Sequence, residues 1–138
     1  MLGIADAAHR EYGDQGTPWL IPAHCDVPQP GAPRLAGHRT VKLKDGTAAR
    51  EIWGAAETQE LFGCSYELNP DFRSDIEAAG LRVSGEDDDG AARVVELPSH
   101  PFFVATLFLP QMRSELGATH PLFTAYASAV IAHAGVTA

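Results

Sequence analysis

Four consecutive residues bring a thiol, a hydroxyl, a phenol and a carboxylate together: Cys64-Ser65-Tyr66-Glu67. A free thiol with a pKa of about 8.5 is only a few per cent thiolate near neutrality, so a cysteine nucleophile needs a base or a cation beside it. No Lys, Arg or His adjoins Cys64 in sequence. Cys64 and Glu67 are therefore candidates for thiol chemistry only if the fold supplies what the sequence neighbourhood lacks, and a small buried hydrophobe is the alternative role for Cys64. The second cysteine follows a histidine, His24-Cys25, but consecutive side chains rarely face one another. His9, His38 and His133 show no ligand spacing, and the two cysteines lie too far apart for a zinc site, so no metal is expected. The run Glu86-Asp87-Asp88-Asp89-Gly90 is not a calcium loop, because glycine stands at position 85 where the first ligand belongs. No phosphate-binding Gly-x-x-x-x-Gly-Lys-Ser/Thr occurs, and no cofactor is expected.

The chain is acidic. Ten Lys+Arg against eighteen Asp+Glu give a net charge of −8 over 138 residues. A nucleic-acid backbone would be repelled. The longest apolar stretch, Phe102 to Pro110, is too short to span a bilayer, and the N-terminus lacks the basic and apolar regions of a signal peptide. A soluble cytoplasmic protein, bound to neither nucleic acid nor membrane, is the expectation.

Several elements must position these groups. Leu2 to Tyr12 suggests a short helix, ended by Gly13-Asp14-Gln15-Gly16. Pro18, Pro22, Pro28, Pro30 and Pro33 then predict a loop or arm without regular elements over 13–36. Thr40 to Leu43 alternates as a strand, Ala48 to Trp53 makes a turn or two of helix, and Glu57 to Leu68 reads as one strand. Asn69-Pro70-Asp71 is a helix start, with Asn69 as cap, Pro70 at the first position and Gly80 as the stop. Leu81 to Val83 and Arg93 to Leu97 form a hairpin whose acidic tip is solvated. Phe102 to Phe108 predicts a strand covered on both faces, and His120-Pro121 opens a last helix with His120 as a surface cap. The layout is α/β.

Three segments in order carry a family resemblance. Ser65-Tyr66-Glu67-Leu68-Asn69 precedes a helix ending Ala78-Ala79-Gly80-Leu81; Glu96-Leu97-Pro98-Ser99-His100-Pro101-Phe102-Phe103-Val104-Ala105 follows the hairpin; then come Phe108-Leu109-Pro110-Gln111 and His120-Pro121-Leu122-Phe123. This closely resembles the C-terminal part of class I glutamine amidotransferase domains, above all those of the CTP synthase family and its small C-terminal-region-related proteins. The resemblance implies the C-terminal part of a flavodoxin-like three-layer domain, incomplete at its N-terminus. Residues 1–138 would form one partial domain, with 1–36 an N-terminal helix and Pro-rich arm and 37–138 the amidotransferase-like core.

The family hydrolyses glutamine with a cysteine on a Gly-x-Cys-x-Gly elbow, a histidine base and a glutamate two residues beyond it, in the service of pyrimidine nucleotide synthesis. Here the His-Pro-Glu of the family falls on Leu109-Pro110-Gln111, and no such elbow occurs. Leucine cannot accept a proton, and Gln111 has no charge with which to steady an imidazolium. The basic stretch before Tyr-Glu is replaced by Leu61-Phe62-Gly63-Cys64-Ser65. The resemblance thus implies a degenerate module with Ser65 and Tyr66 lining the old cleft for a small-molecule ligand. It also implies a homo-oligomer, or a partner chain that completes the sheet. The alternative is the C-terminal part of an active enzyme whose nucleophile lies upstream or is replaced by Cys64.

Overall fold

A computed structural model describes residue 3 and residues 5–25 and 29–135. Its larger sheet has five strands: β3 (Leu35–Leu43), β4 (Glu57–Cys64), β6 (Arg82–Glu86), β7 (Ala92–Glu96) and β8 (Val104–Thr106). They lie in the order β4-β3-β6-β7-β8, every pair antiparallel. A smaller sheet joins β1 (Ala7–His9), β2 (Thr17–Pro22) and β5 (Tyr66–Leu68), with β1 parallel and β5 antiparallel to β2. The described residues also form three α-helices, α1 (Ala48–Trp53), α2 (Arg73–Ala78) and α3 (Pro121–His133), and two short 3-10 turns, Pro70–Phe72 and Pro110–Arg113.

Successive strand residues point to opposite faces of a sheet, and β7 buries both. Val94 joins Val41, Leu43, Phe62 and Ala49 of α1 in one apolar cluster. Val95 packs with Val83, Trp19 and Ile76 of α2 in the other. Helices therefore lie on both sides of the sheet, as the α/β layout requires. Where β6 lies between β3 and β7, the side chains of Val41 and Val94 leave room only for glycine at position 85. A methyl carbon there would lie 2.7 Å from Val94 Cγ2 and 3.1 Å from Val41 Cγ1. Overpacking of this kind costs about 1–3 kcal/mol, so Gly85→Ala is expected to lower the unfolding free energy measured in urea by that amount; an unchanged value would refute the contact.

Asn69 starts a helix as read, but its first turn, Pro70–Phe72, is a 3-10 turn and α2 follows it at Arg73. The Asn69 Oδ1 accepts the Asp71 amide at 3.1 Å, and Gly80 closes α2 at φ +94°. Four expectations are corrected. Ala7–His9 is a strand and not part of a helix, held by β2 at its side; Leu2, within the same expectation, lies outside the described residues, as does Pro28 of the arm. The arm contains the six-residue strand β2, whose two prolines, Pro18 and Pro22, stand at its ends where ladder donors are dispensable. Glu57 to Leu68 is two strands in two sheets, parted by a bend at Ser65. Phe102 to Phe108 contributes only the three-residue edge strand β8, with Phe103 39% exposed, because Pro101 and the turn at 107–109 leave no room for more.

Candidate functional site

The bend at Ser65 decides where the candidate residues go. Cys64 ends β4, half-buried, and its Sγ donates to the Leu107 carbonyl at 3.3 Å. Ser65 accepts the Ala23 amide at 3.0 Å through its own carbonyl, and Tyr66 begins β5 with its ring 4.6 Å from that of His9. Ser65 and Tyr66 line a cleft of about 400 Å³ against Pro22, Pro30 and Arg34 of the arm.

Glu67 turns the other way. Its Oε1 accepts the His24 amide at 2.9 Å and its Oε2 the Arg93 guanidinium at 2.7 Å. The same Nη2 of Arg93 lies 2.6 Å from Asp87 Oδ2. Arg93 is 3% exposed, and its Cζ stands 5.8 Å over the Phe62 ring. One cation thus holds two carboxylates at the floor of a second cleft of about 340 Å³, which Arg39, His24 and Cys25 also line. Cys64 lines neither cleft.

Leu109 and Gln111, which the sequence resemblance sets against the family's base and orienting acid, follow β8. Leu109 donates its amide to Leu61 O at 3.0 Å, and its Cδ1 would come within 3.1 Å of a carbon added at Gly63. Its side chain packs over Gly63 of β4. Gln111 is exposed on the next turn.

A third polar cluster escaped the sequence reading. Glu60, fully buried on β4, accepts from Trp53 Nε1 (2.9 Å), Thr58 Oγ1 (2.9 Å) and Arg113 Nη1 (3.0 Å), and both its oxygens lie 3.2 Å from His120 Nε2. His120 is 2% exposed and not a surface cap: Nδ1 accepts the Leu122 amide at the start of α3 while Nε2 faces Glu60. That arrangement puts the ring proton on Nε2. Burial alone would push the Glu60 carboxyl up; the hydrogen bonds from His120, Trp53 and Thr58 hold it below its ordinary value.

The acidic hairpin tip is only partly solvated, which corrects the expectation. Asp88 and Glu86 pair with Lys42 (2.7 Å) and Lys44 (2.9 Å) of β3 and the turn after it, while Asp87 turns inward to Arg93. Burial raises the Glu86 carboxyl, but Lys44 and Arg73 outweigh it and hold it low. Glu96, six places beyond Gly90, accepts the Ala48 and Ala49 amides at the start of α1 and so is engaged as a helix cap. Among the described residues no group of three or more His, Cys, Asp or Glu side chains could hold a metal ion, and no helix is long and apolar enough to cross a membrane.

No protein-family model matches the chain. It is 34% identical over 134 residues to the CTP synthase of Staphylococcus aureus strain NCTC 8325 / PS 47, covering 94% of this chain and 25% of that protein. The CTP synthase of strain JH9 gives the same identity and coverage. The chain therefore spans about a quarter of the length of the curated relatives it matches. Among solved structures, the glutaminase domain of Trypanosoma brucei CTPS with bound acivicin superposes with a TM-score of 0.82 at 25% identity, over 100% of this chain and 54% of that one. A GMP synthase-type protein from Thermoplasma acidophilum shares the fold, with a TM-score of 0.55 at 13% identity over 85% of this chain and 50% of that one.

Proposed function

We propose that this chain, a relative of the class I glutamine amidotransferase domain of CTP synthase, works as a binding or regulatory module and does not hydrolyse glutamine. The supporting observation is the side chain of Leu109, a hydrocarbon packed over Gly63 at the position that the sequence resemblance sets against the family's base. Gln111 beside it is exposed and uncharged. Loss of a general base lowers a rate by about 10²–10⁴-fold. Cys64 donates its thiol to the Leu107 carbonyl. The clefts at Ser65-Tyr66 and at Glu67-Arg93 are where a small polar ligand would sit. A cytoplasmic setting, without nucleic acid or membrane, belongs to the same proposal.

A second reading draws on the greater length of the relatives. These residues would then serve as one part of a larger amidotransferase-like enzyme, with the nucleophile supplied by another segment and Glu67 assisting. One assay tests the first. Purified chain incubated with glutamine is expected to release no glutamate above the uncatalysed background. Turnover near 1 s⁻¹, the low end of ordinary enzymes at about 1–10³ s⁻¹, would sink the first reading. Acivicin, which the T. brucei domain binds, provides the binding arm: a thermal shift with acivicin but no turnover would indicate a retained, silent cleft.

A further inference from the structure

We propose that the outward face of α3 is a two-fold interface between two copies of this chain. The inference stands apart from the ligand question, since α3 lines neither the Ser65-Tyr66 nor the Glu67-Arg93 cleft.

A helix on a protein surface normally shows one apolar face and one charged face. α3 does not. From Pro121 to Ala132 it has no Lys, Arg, Asp or Glu. Leu122, buried, and Ala125 and Ala129, half-buried, face the body of the protein. The opposite side, at spacings of four, three and one residue, presents Phe123, Ala127, Val130 and Ile131, all at least partly exposed. A helix apolar on two sides is built to be covered on two sides.

Three observations identify the cover as a second copy. The first is size. A monomer of 14.7 kDa should expose about 6,900 Å², whereas this chain exposes 8382 Å². The excess, about 1,400 Å² over the whole chain, leaves room for an interface of the standard size, to which each partner contributes roughly 800 Å². The second is charge. Copies with a net charge of −8 repel one another, so they can meet closely only through a neutral face, and α3 supplies one. The third is shape. Phe123, Ala127 and Ile131 run large-small-large about a centre at Ala127. Turned end for end, the stripe reads the same: Phe123 of one copy lies over Ile131 of the other, and the two Ala127 methyls meet on the axis. That self-complementarity is what an isologous contact demands.

Sedimentation of the full chain over about 1–100 µM, the range in which micromolar affinities are resolved, should give twice the 14.7 kDa mass. Ala127→Arg places two like charges on the axis and should weaken association by about 100-fold or more, with an unchanged far-ultraviolet spectrum because arginine is a good helix former. Ala127→Cys brings two thiols together on the axis and should yield a covalent dimer on mild oxidation, while the parent, with Cys25 and Cys64 alone, should not. A single-chain mass at the highest concentration, an Ala127→Arg variant that stays dimeric, or a dimer that Ala127→Cys fails to link would each overturn the proposal. So would a stable complex that places an unlike protein on this stripe.

Discussion

Arg93→Met lowers the stability of the protein by about 3–5 kcal/mol, the usual loss when one member of a buried ion cluster is removed. Domains of this size hold only about 5–15 kcal/mol in all, so the variant should be partly unfolded at physiological temperature. The reason lies in what is left behind. Methionine fills much of the same space and keeps a contact with the Phe62 ring, but Glu67 and Asp87, with side chains 11% and 13% exposed, remain as carboxylates without a counter-ion. The Coulomb gain of the triad is offset by the desolvation of three charges, so its net contribution is modest; the imbalance after one loss is what is large. Neutralising all three, as Arg93→Met with Glu67→Gln and Asp87→Asn, should restore most of the loss. Urea unfolding of the single and triple variants measures both effects. A fall below about 1 kcal/mol in the single variant, typical of an exposed pair, would show the cluster to be solvated.

Glu60→Gln should cost about 3 kcal/mol at pH 7, because Arg113, His120 and Trp53 lose a charged acceptor. The penalty should depend on pH. The Glu60 carboxyl is depressed in the folded state, so its contribution is complete above the unfolded glutamate value of about 4.3 and disappears as pH falls through the lower folded value. The gap between wild type and variant should therefore be steady from about pH 7 to 5 and narrow as the pH falls further. Comparing the two proteins at each pH cancels the titration of Glu86 and the other carboxylates. A gap that stays constant into acid would mean that the Glu60 carboxyl titrates alike in the folded and unfolded states.

Local chemistry was legible in the sequence wherever it was self-contained. The Asn69-Pro70 start, the Gly80 stop, the α1 segment and the β6–β7 hairpin all depend on residues a few places apart, and each formed where its signals stood. The resemblance motifs pointed to the fold, which the T. brucei domain shares over the whole chain. What stayed hidden depends on distant partners. Ala7–His9 is a strand only because β2 lies beside it, and the Glu57–Leu68 run divides at Ser65 because Ala23 and β2 capture its second half. Two polar signals were present but overlooked. Glu60 has the same strand parity as buried Phe62, and Arg93 interrupts an apolar strand, so both pointed at the interior. His120 read as a surface cap because its cap role is local, whereas its burial depends on Glu60, 60 positions earlier. For the candidate site, the sequence names the residues, but the bend at Ser65 assigns them to separate clefts.

The Glu60 knot has a consequence for how the protein comes into being. Its ligands Arg113 and His120 follow it by 53 and 60 positions. At translation speeds of about 5–20 residues per second, the ribosome needs roughly 3–12 s to make that stretch. Throughout that interval a nascent chain with β3 and β4 already synthesised carries an acid on the inner face of its sheet with no cation to meet it. An unpaired carboxylate is costly to bury, so burial of that face is expected to wait until the C-terminal segment supplies Arg113 and His120.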